Sequence, residues 1–158
     1  MNWQEVCEHP SLQDLPFKIE TNERGEIVMA PVKVYHSAYQ GEIGFLLRST
    51  SHGGRVLAEC AIFTAKGTKV ADVAWASEAR FQKIKDETEC SIAPEICVEV
   101  LSLSNSDDEI EEKRALYFDR GAQEVWICKA DGDIHFYTAA GRIEQSMLFP
   151  GFPQHVTI

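Results

Sequence analysis

The chain has 158 residues, 44% of them hydrophobic and 25% charged, with 25 acidic residues against 15 basic for a formal net charge of −10. That length accommodates one ordinary domain, taken as residues 1–158, and the composition excludes both a disordered chain and a membrane-spanning one. The acidic balance argues against a protein that grips nucleic acid by bulk positive charge.

The first residues, Met1-Asn2-Trp3-Gln4-Glu5-Val6-Cys7, lack the basic start and apolar stretch of a secretory signal, which predicts a cytoplasmic protein. Residues 17–20 and 26–29 flank the polar, Gly-containing connection Thr21-Asn22-Glu23-Arg24-Gly25 and predict a β-hairpin. Val34, Ala38, Ile43, Leu46 and Leu47 recur at helical spacing and predict a helix over 34–48, although Gly41 and Gly44 each weaken it by about 1 kcal/mol relative to Ala. The loop residues 49–54 are followed by two strands, 55–63 and 70–76. The run 94–101 is nearly all apolar, as in a strand buried on both faces, and Glu99 is its one anomaly.

Residues 107–120 turn helical, with Ser104, Asn105 or Ser106 as caps, acidic residues in the first turn and Gly121 as the stop. A strand over 124–129, a tight turn at Asp131-Gly132 into a strand over 134–138, and a last strand over 142–148 complete the series. This order predicts a central sheet covered by helices, an α/β domain bordering on α+β. The five cysteines, Cys7, Cys60, Cys90, Cys97 and Cys128, are odd in number and form no Cys-x-x-Cys pair, which predicts reduced thiols, mostly in the core.

Two carboxylates stand where burial is expensive: Asp72 within Val70-Ala71-Asp72-Val73-Ala74-Trp75, and Glu99. A single strand acid more often points outward to water, but two in apolar strands point to a site that pairs them or binds a cation. On the following helix Glu109, Lys113 and Tyr117 lie at i, i+4 and i+8 and present one polar stripe; taken by spacing alone, that stripe reads as a surface Glu–Lys pair.

Ala71-Asp72-Val73-Ala74-Trp75, then 94–104 around Glu99, then Glu109, Lys113 and Tyr117, then Gly121-Ala122-Gln123-Glu124-Val125-Trp126-Ile127 resemble, in order and spacing, the Uma-type family of bacterial restriction-endonuclease-like proteins, within the PD-(D/E)xK nuclease superfamily. The resemblance spans about residues 17–143. It implies a restriction-endonuclease-like mixed central sheet flanked by helices, with an added N-terminal hairpin and C-terminal strands. It implies a metal-dependent endonuclease acting on DNA, with Asp72, Glu99 and Lys113 catalytic and the metal held by Asp72, Glu99 and the backbone carbonyl of Val100.

The sequence departs from the pattern at Ala71 and Leu103, where the family usually has Pro, and at Glu109, where Asp is common. Leu101 occupies the position of the superfamily's catalytic Lys, so the amine is expected from Lys113, with Lys69 a weaker substitute. Mg²⁺ or Mn²⁺ suits hard oxygen ligands and would activate water for phosphodiester hydrolysis. Glu59, His36, Glu42, Glu109 and Tyr117 are accessory candidates; each also has an ordinary structural reading, as a solvent-facing acid, a structural His or a packing Tyr. The shortage of basic residues calls for a local rim, for which Arg48, Arg55, Lys66, Lys69, Arg80, Lys83 and Lys85 are available, and a homodimer would bring two sites to a duplex. The alternatives are an inactive nuclease-fold protein serving as a binding or assembly module, and a metal-dependent hydrolase of small phosphoesters. No Gly-x-Ser-x-Gly elbow, Walker motif or dinucleotide-binding glycine motif is present.

Overall fold

The computed structural model describes residues 1–50 and 52–158. A short helix α1 (Trp3–Glu8) and a 3₁₀ turn (Pro10–Leu12) lead into a hairpin of β1 (Phe17–Thr21) and β2 (Ile27–Pro31), which forms a two-stranded sheet of its own. Helix α2 (Val34–Thr50) follows, then β3 (Arg55–Thr64), β4 (Gly67–Ala76), helix α3 (Glu78–Ile84), β5 (Ile96–Val100), helix α4 (Asp107–Asp119), β6 (Glu124–Cys128), β7 (Ile134–Thr138) and β8 (Gly141–Ile143). The six strands β3 to β8 lie side by side in chain order. All neighbours are antiparallel except β5 and β6, whose parallel pairing requires the α4 crossover. The sheet is therefore mixed, as expected.

Alternation along the strands sends the side chains to two cores. Val73 and Trp75 of β4, Ile96, Val98 and Val100 of β5, and Trp126 and Cys128 of β6 face α2, where Ile43 and Leu47 are fully buried. Ala74 and Ala76, Cys97, and Val125 and Ile127 face α4, against Ile110 and Tyr117. Glu99 shares the alternation of this second set and meets Tyr117 and Lys113 of α4, whereas Asp72, just beyond the end of the β4–β5 ladder, meets the Val100 N–H, Lys18 of β1 and His36 of α2.

Four of the five cysteines are buried and all five are unbridged; Cys7 is exposed. The helix runs through both glycines, and a Cβ at Gly44 would meet Val56 only at an ordinary 3.8 Å. Helices α1 and α3 were not anticipated. Each carries a side-chain cap, a capping box between Asn2 and Glu5 in α1 and Ser77 in α3, but at six and seven residues they are too short to set up a hydrophobic period.

The expected last strand over 142–148 is cut to three residues. Beyond Ile143, the backbone N–H groups of Met147 and Leu148 donate to the buried Glu124 carboxylate, at 3.2 and 2.9 Å, instead of to a neighbouring strand. The tail then turns inward, and Phe149 and Phe152 pack on Trp126 with ring centroids 6.3 and 4.6 Å away. No helix among the described residues is long and apolar enough to cross a membrane.

Candidate active site

Helix α4 begins at Ser106, whose hydroxyl accepts from the Glu109 N–H at 3.2 Å, with Asp107, Asp108 and Glu109 in the first turn favoured by the helix dipole. Its inner face brings Tyr117 and Lys113 down onto Glu99. The Tyr117 hydroxyl donates to Glu99 Oε1 at 2.6 Å, and Lys113 Nζ stands 3.2 Å from the same oxygen. Asp72 Oδ2 accepts the Val100 N–H at 2.7 Å, a bond available because the β4–β5 ladder ends at Val73–Val98, and lies 3.3 Å from His36 Nε2. The sequence-selected residues Asp72, Glu99, Lys113, Tyr117 and His36 thus form one cluster.

Two members were missed. Lys18 and Glu20 alternate on one face of β1, and the hairpin folds over β4 so that both enter the cluster. Lys18 Nζ is 3.0 Å from Asp72 Oδ1, 3.4 Å from Glu99 Oε2 and 3.9 Å from Glu20 Oε2. Glu20 Oε2 in turn accepts the Val70 N–H at 2.6 Å and pairs with Lys113 Nζ at 2.8 Å. The hairpin is tied down at its turn, where the Thr68 N–H donates to Thr21 Oγ1 at 2.8 Å and Lys69 Nζ to the Thr21 carbonyl at 2.8 Å. The signal available in the sequence was the polar pair Lys18 and Glu20 on one strand face; nothing local told which sheet it would meet.

The electrostatics follow from burial set against pairing. Burial opposes the charge on Asp72, but the His36 hydrogen bond, Lys18 and the Val100 N–H outweigh it and hold the carboxyl well below its ordinary value. Burial also opposes charge on Lys18, and there Glu99, Asp72 and Glu20 prevail and hold the ammonium far above its usual value. Glu99 goes the other way: burial, with the neighbouring Asp72 and Glu20 charges, raises it despite Lys113 and Lys18. The hydrogen bond to Asp72 raises His36, and burial lowers Lys69.

The cluster forms the floor of a cleft of about 440 Å³ between the hairpin and α4, with Lys33, Lys66, Lys69 and Glu109 also on its walls. Five of the chain's eight lysines line it: Lys18, Lys33, Lys66, Lys69 and Lys113. Of the expected basic rim, only Lys66 and Lys69 belong to this cleft. Arg55 pairs instead with Glu78, and Arg80 donates to the Ala93 and Gly121 carbonyls. Arg48, Lys83 and Lys85 lie outside the lining, as do Glu42 and Glu59. Glu59 is exposed, with φ of 52°, where the β3–β4 register is interrupted opposite Asp72.

As a metal site the donor set is sparse but of the right kind. Among the described residues no group of three or more His, Cys, Asp or Glu is arranged to hold an ion. Two carboxylate oxygens, Asp72 Oδ1 and Glu99 Oε2, do converge on one cationic atom. Mg²⁺ is ordinarily bound through one or two carboxylates with several waters retained, so these residues fit it.

Comparison with known proteins gives a family match over residues 3–153, to Uma2, described as "Putative restriction endonuclease". No curated protein matches the chain. A crystal structure described as a putative nuclease belonging to DUF820, from Anabaena variabilis, superposes with a TM-score of 0.69 at 21% identity, covering 92% of this chain and 82% of that one. It has the same fold.

Proposed function

The chain belongs to the Uma2 family, and from that premise we propose that it is a nuclease, specifically a metal-dependent endonuclease that hydrolyses phosphodiester bonds in DNA. The observation that carries the reading is the convergence of Asp72 Oδ1 and Glu99 Oε2 on one cation at the floor of a lysine-lined cleft. Mg²⁺ or Mn²⁺, if bound there, would supply a water of lowered pKa and offset charge on the phosphate. Asp72 and Glu99 hold it through hard oxygens. The Val100 carbonyl would be a third ligand from this chain, since in an extended strand it leaves by the same edge as the N–H that reaches Asp72.

Lys113 takes the part of the amine missing at Leu101, placing a fixed positive charge where negative charge develops on the phosphoryl oxygens. Tyr117 fixes the Glu99 carboxylate by donating to Oε1, and His36 fixes Asp72 through Oδ2; both act through the ligands rather than on substrate. Cutting both strands of a duplex commonly takes two active sites, and a homodimer is part of the proposal.

The test is Mn²⁺ binding by calorimetry together with nicking of plasmid DNA, for the unsubstituted protein, Asp72→Asn, Glu99→Gln and Lys113→Ala, with sedimentation velocity reporting the dimer. The carboxylate variants should lose metal binding. Lys113→Ala should keep it and lose about 10²–10³-fold in cleavage rate, the usual cost of one stabilising group. Absence of both metal binding and cleavage in the unsubstituted protein would favour the second reading, an inactive nuclease-fold binding module. Leu101, which carries no amine, is the observation on that side.

A further inference from the structure

Lys18 is the one cationic group that lies between the two carboxylates instead of beside them. Its Nζ contacts Asp72 Oδ1 and Glu99 Oε2, the two oxygens that the other partners leave over: Asp72 Oδ2 is taken by Val100 and His36, and Glu99 Oε1 by Tyr117 and Lys113. An ammonium at that point occupies the position where those oxygens would grip a metal ion. We propose that Lys18 is the resident cation of the metal-free site, and that a divalent ion binds by displacing the ammonium into the cleft. The inference rests on Asp72 and Glu99 being metal ligands.

The hairpin is built for such an exchange. Its anchors lie at Glu20 and Thr21, through the Val70 and Thr68 N–H groups and Lys69, whereas among the described residues the ion pairs of Lys18 are with the three carboxylates. Lys18 can therefore leave by rotation about its own four-carbon stem while β1 stays clamped. The space it would enter exists, because Lys18 already lines the 440 Å³ cleft, next to Ala30 and Val32.

Charge gives the exchange a direction. Glu20, Asp72 and Glu99 face Lys18 and Lys113 in the resting cluster, which leaves little positive charge to attract a phosphate. Adding a divalent ion while retaining both lysines shifts the cluster by two positive charges, toward holding a phosphodiester anion. Metal binding in this way precedes and licenses substrate binding, and it pushes a flexible ammonium to where the phosphate arrives.

The deciding experiment is calorimetric Mn²⁺ affinity of the unsubstituted protein, Lys18→Gln, Lys18→Arg and Lys18→Gln with Asp72→Asn, each checked for folding by circular dichroism. In parallel, Mg²⁺ is titrated into the unsubstituted protein while the Lys18 Cε–Hε NMR signal is followed. Removing the charge should tighten Mn²⁺ binding by at least about tenfold, the effect of a 1.4 kcal/mol competitor. Lys18→Arg should leave the affinity near that of the unsubstituted protein, the double variant should lose it, and the Lys18 signal should move to saturation with the metal. If the unsubstituted protein binds Mn²⁺ and Lys18→Gln binds it no more tightly, or the Lys18 signal stays fixed at saturating Mg²⁺, the exchange is overturned and the metal site stands. If neither the unsubstituted protein nor Lys18→Gln binds metal, the metal site itself falls, and the exchange with it.

Discussion

Tyr117 isolates the cost of keeping Glu99 inside the sheet, because its hydroxyl is the one neutral donor to that carboxylate and both groups are buried. Tyr117→Phe changes no volume to speak of, yet leaves Glu99 Oε1 with Lys113 alone. A stability loss of about 1–3 kcal/mol is expected, read as a lower urea midpoint at unchanged slope. The same reasoning explains which site residues were legible from the amino-acid order. Asp72 and Glu99 were legible because a carboxylate in an apolar strand is too expensive to be incidental, and Lys113 and Tyr117 because helical spacing puts them on one stripe. Lys18 was illegible: on an amphipathic hairpin strand a lysine costs nothing in water, and its burial results wholly from where the hairpin docks. Glu59 shows the converse, a strand acid that backbone geometry turns out to solvent.

At the scale of elements, the hairpin's docking depends on one backbone position. Gly67 opens β4 with φ of 87°, and a Cβ there would lie 2.4 Å from the Asn22 carbonyl oxygen and 2.5 Å from that of Thr21. Gly67→Ala meets backbone, which cannot swing aside as a side chain can. It should cost at least about 1 kcal/mol for the left-handed conformation alone. It should also pull the β1–β2 turn off the sheet, which hydrogen exchange would show as lost protection at the Thr68 and Val70 amides with β5 and β6 unaffected. The strands and the two long helices could be read from alternation, capping and glycine stops. The hairpin's separate sheet could not, since strand periodicity identifies a strand without naming its neighbour. The short β8 likewise escaped, because a buried side-chain carboxylate, Glu124 of β6, substitutes for a strand partner beyond Ile143.

For the whole molecule, the net charge of −10 extends into the cleft, where the five lysines meet six acids, Glu20, Glu23, Asp72, Glu99, Glu109 and Glu112, so a phosphate would depend on the two charges of a bound metal to tip the balance. Lys33 and Lys66 stand at the cleft away from the carboxylate cluster. If they contact phosphates, replacing both by Ala should flatten the dependence of log affinity on log salt by roughly 2 in duplex DNA binding, measured by fluorescence anisotropy. Metal affinity should be unchanged. The distribution of the cluster along the chain also has a temporal side. Lys18 and Glu20 leave the ribosome early, Asp72 next, Glu99 and Lys113 much later, and β5 gains its parallel neighbour only when β6 has followed α4. Because chains are made vectorially, at about 5–20 residues per second, a nascent chain carries the hairpin lysine for seconds before the acids that would surround it exist. The cluster is assembled in one late step, so a truncated product of translation holds the pieces of the site without the site.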